Sequence, residues 1–426
     1  MRRDELAALG ELAGDAAGGL ASQIQQMHAG IAQRVWRAVG PASIPVRLVH
    51  DRVAERGYSA ARQLTRRVVS DGVRALGAGQ PDDGESIERT VIGRAAIGAL
   101  NGIWGDTLAR RENRLALTMT LRSGGRDLSI TRAGLRQAYP HASSRLAVFI
   151  HGLCETDDAW MLGGERHVPY GFRLQAELGY TPLYVRYNTG LHISENGRQL
   201  AQLLDQLAQA WPVQVQEIAL IGHSMGGLVA RSACHYSDGA RWCGAVRHVF
   251  TLGSPHLGAP LEQGANAITY YLSKLPETRA LLAAPLNLRS VGIKDLRYGY
   301  LVDECWQDQD CDAFLRNTSR EVPFLRTANH YFMCATLSRD ADGLAGRLVG
   351  DLLVLRASAW SQRRGERLLF RIEHYGHLGG ANHFDLLNHP AIYRQMRRWL
   401  AAQRALPAPS AEATPGVEHP LGHPAG

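Results

Sequence analysis

A serine follows a short apolar run in the motif GHSMG at positions 222–226. The residues before it, EIALI at 217–221, predict a buried parallel strand, and the apolar residues after the motif predict a helix. A strand that turns directly into a helix holds a serine hydroxyl on a strained corner, where a substrate carbonyl can reach it. The flanking glycines let the strand and the helix approach closely. We therefore predict that Ser224 is a nucleophile; the alternative is a serine that only caps the helix.

A second apolar strand is predicted at 145–150 (RLAVFI), and a His-Gly pair follows it. A hydrolytic serine needs two backbone N–H groups directed at the developing oxyanion. We expect one from Met225, which follows the nucleophile, and the other from Leu153, in the loop that leaves this strand. His151 lies before the serine, and in this architecture the order is serine, acid, histidine. We therefore do not expect His151 to be the catalytic base.

The acid should lie after the serine in the chain. A strand is predicted at 331–337 (YFMCATL), and the segment that follows carries Asp340, Asp342 and Asp351. We prefer Asp351 as the acid that orients the base, with Asp342 as the alternative. For either residue, the other interpretation is an ordinary solvated aspartate in a loop.

The base should lie further on. After a strand predicted at 368–372, a glycine-rich loop carries His383 just before an apolar helix start, where it can reach the serine as general base. His377 and His374 are the alternatives. We expect His389, which precedes a proline, to be structural.

At this point the sequence resembles the serine lipases and esterases of the α/β-hydrolase fold, nearest to the branch of the PGAP1-like and triacylglycerol lipases. The resemblance covers roughly residues 115–402 and rests on four motifs in the family order. They are HGL (151–153), GHSMG (222–226), GSPHLG (253–258), and GD (350–351) together with NHFDLL (382–387).

Carried over residue by residue, the resemblance implies Ser224 as nucleophile, His383 as base and Asp351 as acid. It implies Leu153 and Met225 as oxyanion donors, and neither a metal nor an organic cofactor. One departure concerns the acid: LLV at 352–354 stands where the family has glycine, a hydrophobic residue, valine and proline. The choice between Asp351 and Asp342 therefore stays open.

Strands and helices alternate through the central part of the chain. A strand at 182–187, a helix at about 195–211 and a strand at 246–252 surround the serine motif. This alternation predicts a doubly wound, mostly parallel sheet with flanking helices, that is, an α/β-hydrolase fold. A strand predicted at 115–122 should form an antiparallel edge.

We divide the chain into a helical N-terminal extension (1–112), a catalytic domain (113–402) and a disordered tail (403–426) that is rich in proline, alanine and glycine. Within the catalytic domain, residues 260–323 are predicted as a helical cap or lid insertion. Apolar residues at 268–282 either line an acyl pocket or belong to a helix that packs inward.

The N-terminal extension carries apolar residues at helical spacing between 46 and 76, with arginines among the polar positions. A second helix is predicted at 85–112. We expect these helices to pack on the catalytic domain. The alternatives are an amphipathic segment in peripheral contact with an anionic membrane, and a dimerisation element.

Composition favours a globular enzyme. The chain has 426 residues, 45% of them hydrophobic, and no apolar run approaches the length of a membrane span. The net charge of +7 comes almost entirely from scattered arginines without interleaved aromatic residues, so we expect no nucleic-acid partner. The first residues lack the apolar core of a secretory signal. We expect a cytoplasmic protein, with peripheral membrane attachment as the alternative.

These features together predict a carboxylic-ester hydrolase that acts through a Ser-His-Asp triad and an acyl-enzyme on lipid-like acyl esters. The same machinery would serve an acyltransferase, a thioesterase or a polyester depolymerase. An alternative of another class is a non-catalytic, lipid-binding scaffold, although a scaffold has no need of an exposed serine on a strained turn.

Overall fold

The computed structural model describes residues 2, 4–5, 7–11, 52, 55, 59, 63, 86–237, 239–259, 289–309, 316–336 and 374–404. Several predictions lie outside these residues. They are the apolar positions between 46 and 76, the acids Asp340, Asp342 and Asp351, the strand at 368–372, the apolar cap residues at 268–282, and the tail beyond position 404.

The described residues form one eight-stranded sheet in the order β2-β1-β4-β3-β5-β6-β7-β8. The strands are β1 (Thr120–Ser123), β2 (Arg126–Asp127), β3 (Arg145–Ile150), β4 (Thr181–Arg186), β5 (Glu217–His223), β6 (Val246–Leu252), β7 (Asn329–Thr336) and β8 (Tyr375–Gly379). Strand β1 is antiparallel to β2 and β4, and all pairs from β4 to β8 are parallel. The predicted doubly wound, mostly parallel sheet is confirmed.

Helices flank this sheet. They are α1 (Val91–Arg110), α2 (Arg132–Ala138), α3 (Tyr170–Leu178), α4 (Ile193–Ala210), α5 (Met225–His235), α6 (Val291–Asp295) and α7 (Pro390–Arg404). Local chemistry sets several ends: the Thr90 hydroxyl accepts a hydrogen bond from Gly93 N at the start of α1, and α3 ends at Gly179 in the left-handed conformation. The helix predicted at 195–211 is observed as α4.

The central strands are buried on both faces, which explains their continuous apolar runs. Along β3, Leu146, Val148 and Ile150 face one core cluster, which also contains residues of α4 and α5. The intervening Ala147 and Phe149 face a second cluster, which includes residues of α3 and α7. The period of two therefore divides one strand between two helical layers.

The strand predicted at 115–122 is shorter than predicted, and it is not the outermost strand, because β2 lies beyond it in the sheet. Strand β1 begins at Thr120, and the buried residues Leu115 and Leu117 lie before it. The side chain of Asn101, on α1, accepts a hydrogen bond from Leu117 N at 2.8 Å and donates one to Leu115 O at 2.8 Å. A buried amide thus satisfies backbone groups that would otherwise need a neighbouring strand.

The described part of the predicted cap packs on the core. Ser290 donates its hydroxyl to Gly102 O (2.6 Å) and its N–H to Ile103 O (2.9 Å), both on α1. Asp295, at the end of α6, accepts hydrogen bonds from Ile193 N and His192 Nδ1 at the start of α4. In the parts of the chain described here, no helix has both the length and the apolar character needed to cross a bilayer.

Candidate active site

Ser224 occupies the sharp turn between β5 and α5. Its backbone has φ 52° and ψ −121°, a conformation that costs energy in any residue with a Cβ. Ser224 N donates to Leu252 O at 2.8 Å, so the turn is held by the end of β6. A Cβ on Gly222 would stand 2.5 Å from the carbonyl carbon of Gly226, which shows how closely α5 folds back on β5. The predicted strand–turn–helix therefore surrounds Ser224.

His151, at the end of β3, is fully buried and held at both ring nitrogens. Nδ1 lies 3.0 Å from Gly152 O, and Nε2 accepts a hydrogen bond from Tyr187 N at 3.3 Å. This pattern requires the neutral tautomer with the proton on Nδ1. Burial lowers the pKa of His151 to about 4. Both ring nitrogens are engaged by neighbouring backbone, as expected for a structural histidine.

The loop after β3 approaches the serine. A Cβ on Gly152 would stand 3.0 Å from Ser224 Cβ. Gly152 N donates to Glu155 Oε2 at 2.6 Å, and Cys154, at φ 62°, donates its N–H to Thr189 Oγ1 at 3.2 Å. The predicted oxyanion donor Leu153 lies between these two anchored residues.

The other predicted donor, Met225, is the first residue of α5. The first residue of a helix has no acceptor for its N–H within the helix, so this position suits a donor to a ligand. The roles of Leu153 and Met225 stay predictions.

Two glycines of helix α1 pack directly against this loop. A Cβ on Gly102 would collide with Cys154 Sγ and stand 2.9 Å from Cys154 Cα. One turn away, a Cβ on Gly98 would stand 2.8 Å from Thr156 Cγ2. The helix thus approaches the loop that carries Leu153 more closely than any larger residue would allow. A segment predicted as an N-terminal extension therefore contacts the candidate site.

His383 begins a short 3-10 helix, His383–Leu386, that follows β8. Its side chain is buried, and a Cβ on Gly253 would stand 2.9 Å from His383 Cε1. Gly253 directly follows Leu252, whose carbonyl accepts the hydrogen bond from Ser224 N. The structure therefore brings His383 and the serine turn to the same end of β6.

The histidines considered as alternatives to His383 have other contacts. His377 is part of β8, with Nε2 2.7 Å from Thr336 Oγ1, and the His374 ring packs at 4.8 Å from that of Tyr331. His389 Nδ1 accepts a hydrogen bond from Ala391 N at the start of α7, as a structural residue would. Asp351 and Asp342 are outside the described residues, so the identity of the acid stays a prediction.

Sequence reasoning missed a pair beside the nucleophile. His223 Nδ1 lies 3.0 Å from Glu155 Oε1, and His223 Nε2 lies 3.2 Å from the backbone oxygen of His383. The rings of His223 and His383 are 4.7 Å apart. The sequence features that could have indicated this pair are a glutamate in the loop after β3 and a histidine inside the serine motif. Neither indicates the other, since 68 residues separate them.

No group of three or more histidine, cysteine or acidic side chains in the described ranges is arranged to hold a metal ion.

Comparison with known proteins finds a family model that matches part of this chain. Residues 147–330 match the family model of the PGAP1-like alpha/beta domain, which confirms the resemblance for the segment that carries the serine turn. The chain has no match among curated proteins.

Three solved structures illustrate the structural similarity. The lipase BlEst2 of Bacillus licheniformis in mature form is 18% identical, with a TM-score of 0.39 over 61% of this chain and 94% of that one. Its propeptide form gives 0.41 at 18% identity, over 65% of this chain and 54% of that chain. Phospholipase PlaB of Legionella pneumophila is 17% identical, with a TM-score of 0.31 over 51% of this chain and 46% of that one. Scores this low carry no functional argument, and the fold rests on the sheet described above.

Proposed function

Because residues 147–330 match the family model of the PGAP1-like alpha/beta domain, we propose that this protein is a serine carboxylic-ester hydrolase. The observation that carries the proposal is the backbone of Ser224, held at φ 52° between a parallel strand and a helix, with the buried His383 at the same end of β6. A protein that used this serine only as a helix cap would gain nothing from the strained conformation.

In the proposed reaction, His383 takes the proton of the Ser224 hydroxyl while its oxygen attacks the ester carbonyl. The backbone N–H groups of Leu153 and Met225 stabilise the oxyanion, each such donor being worth about 3 kcal/mol in rate. His383 returns the proton to the leaving alcohol, and water then releases the acyl group by the same steps. Asp351 would hold the imidazole of His383 in the required tautomer.

The surroundings of the site favour a lipid-like acyl ester. Phe384 is 53% exposed, and its ring lies 5.9 Å from that of His383. Apolar side chains that face solvent next to a polar site suit an acyl chain.

The test is labelling with a fluorophosphonate probe, with the wild type compared with Ser224→Ala and His383→Ala. We expect rapid labelling of the wild type, no labelling of Ser224→Ala and at least a hundredfold slower labelling of His383→Ala. A substitution of the exposed His141 by alanine is the control for loss of a histidine. Hydrolysis of p-nitrophenyl esters from C2 to C16 then measures the preferred acyl length.

A folded wild type that is not labelled, with or without detergent, would refute the proposal and favour the non-catalytic scaffold. Labelling that persists in Ser224→Ala would show that another residue is the nucleophile.

A further inference from the structure

We propose that Glu155 and His223 form a buried ion pair that positions the oxyanion loop and the base relative to the nucleophile. The catalytic consequence of this pair rests on the proposed function, but its existence does not. Neither residue needs to touch the substrate, so both are positioning residues.

The geometry determines the charge of the His223 ring. Nδ1 faces the Glu155 carboxylate, with Oε1 at 3.0 Å and Oε2 at 3.1 Å. Nε2 faces the backbone oxygen of His383 at 3.2 Å. A carboxylate and a carbonyl can only accept hydrogen bonds, so both ring nitrogens must donate. A histidine with two donating nitrogens is an imidazolium.

The environment makes this charge depend on Glu155. The His223 side chain is fully buried and the Glu155 side chain is only 10% exposed. The rings of Trp160, Phe384 and His383 also lie near it, with centroids at 6.4, 6.3 and 4.7 Å from that of His223. A buried charge is costly unless it is paired, and Glu155 is the carboxylate that faces this ring.

The pKa of Glu155 is also consistent with an ion pair, because it is lowered. Burial by itself would raise the pKa of Glu155. The charge and hydrogen bond of His223, together with the N–H of Gly152, more than offset burial and hold the pKa below its usual value. The neighbouring His151 is neutral, for the reasons given above, and adds no positive charge to the pair at neutral pH.

The pair joins three segments that would have to act together. Glu155 Oε2 accepts from Gly152 N at 2.6 Å, directly before the proposed oxyanion donor Leu153. His223 directly precedes Ser224 in the chain. His223 Nε2 donates to the backbone oxygen of His383. Removing the imidazolium would therefore loosen the donor and the base at once, although it touches neither reacting atom.

The first experiment compares Glu155→Gln, His223→Asn and the double variant by the rate of fluorophosphonate labelling at pH 7.5. We expect each single variant to be about tenfold to a hundredfold slower, as for small misplacements of catalytic groups. The double variant should be about as slow as either single one, because both changes remove the same interaction. Glu177→Gln and His141→Asn are matched controls at solvent-accessible positions and should label like the wild type.

The pH profile separates positioning from general destabilisation. The wild-type labelling rate should fall at alkaline pH, where the His223 ring loses its second proton. In Glu155→Gln this fall should begin at lower pH, and in His223→Asn it should be absent. Labelling rates that multiply in the double variant, or identical alkaline profiles in the wild type and both single variants, would overturn the proposal.

A measurement that does not use activity tests the pair directly. In ¹⁵N-histidine-labelled protein at pH 7.5, His223 should show two protonated ring nitrogens, and His223→Asn or His223→Gln identifies the signal by its loss. A neutral ring in the wild type would overturn the proposal. An imidazolium in a wild type that the probe does not label would support the pair while refuting the proposed function.

Discussion

The buried ring of His151 predicts a specific loss of stability on acidification. In the native protein the ring is neutral, because it accepts a hydrogen bond from Tyr187 N, and burial lowers its pKa from 6.5 to about 4. In the unfolded chain the same ring binds a proton near its ordinary pKa. The native form therefore gains stability from His151 above pH 6.5, and this gain is lost as the pH falls towards 4.

The magnitude follows from the two pKa values. At pH 5 the unfolded ring is almost fully protonated, while the native ring is still largely neutral. Between pH 6.5 and pH 5 the free energy of unfolding falls by about 1.4 kcal/mol per pH unit, which gives a loss of about 2 kcal/mol. Since small domains are stable by only about 5–15 kcal/mol, a loss of this size is measurable.

The assay is the free energy of unfolding in guanidinium chloride at pH 7, 6 and 5, for the wild type and for His151→Gln. We expect the variant to be less stable at pH 7, because it loses the stacking of this ring on Tyr187. Between pH 7 and pH 5 it should lose about 2 kcal/mol less than the wild type. The exposed His141, replaced by glutamine, is the control and should not change the pH dependence. Parallel curves for the wild type and His151→Gln would refute the argument.

Two further predictions concern the elements around the site. Gly102→Ala places a Cβ against Cys154 and should cost about 1–3 kcal/mol of stability and slow probe labelling, whereas Gly244→Ala, with nothing within 4 Å, should change neither. Asp295→Asn removes the carboxylate that raises the pKa of His192 against the opposing effect of burial. Because that contribution is complete below pH 6.5 and lost as the pH rises through the native pKa, the variant should lose about 3 kcal/mol at pH 6, and the loss should shrink as the pH is raised. A loss that grows with pH in denaturant unfolding would contradict the ion pair.

Those parts of the site that depend on local sequence could be predicted. Strand β6 has the predicted bounds, Val246–Leu252, and the turn at Ser224 lies between the predicted strand and helix. In both cases an apolar run and nearby glycines specify the structure within about ten residues. The parallel order of the sheet follows from the alternation of strands and helices, which is also a local signal.

The features that could not be predicted depend on distant partners. The residues YGHLG at 375–379 have little intrinsic preference for a strand, yet they form β8 because the edge of β7 offers a parallel partner. Leu115 and Leu117 look like a strand, but Asn101 takes their hydrogen bonds. The Glu155–His223 pair likewise exists only once β3 and β5 lie side by side.

The order of the strands along the chain has a consequence for synthesis. The serine turn needs only β3, β5 and β6, all complete by Leu252, whereas His383 follows β8, which begins at Tyr375. A growing chain can therefore form the nucleophile turn long before the base exists. Under the proposed mechanism, hydrolytic capacity arises only when the C-terminal strand emerges and pairs with β7.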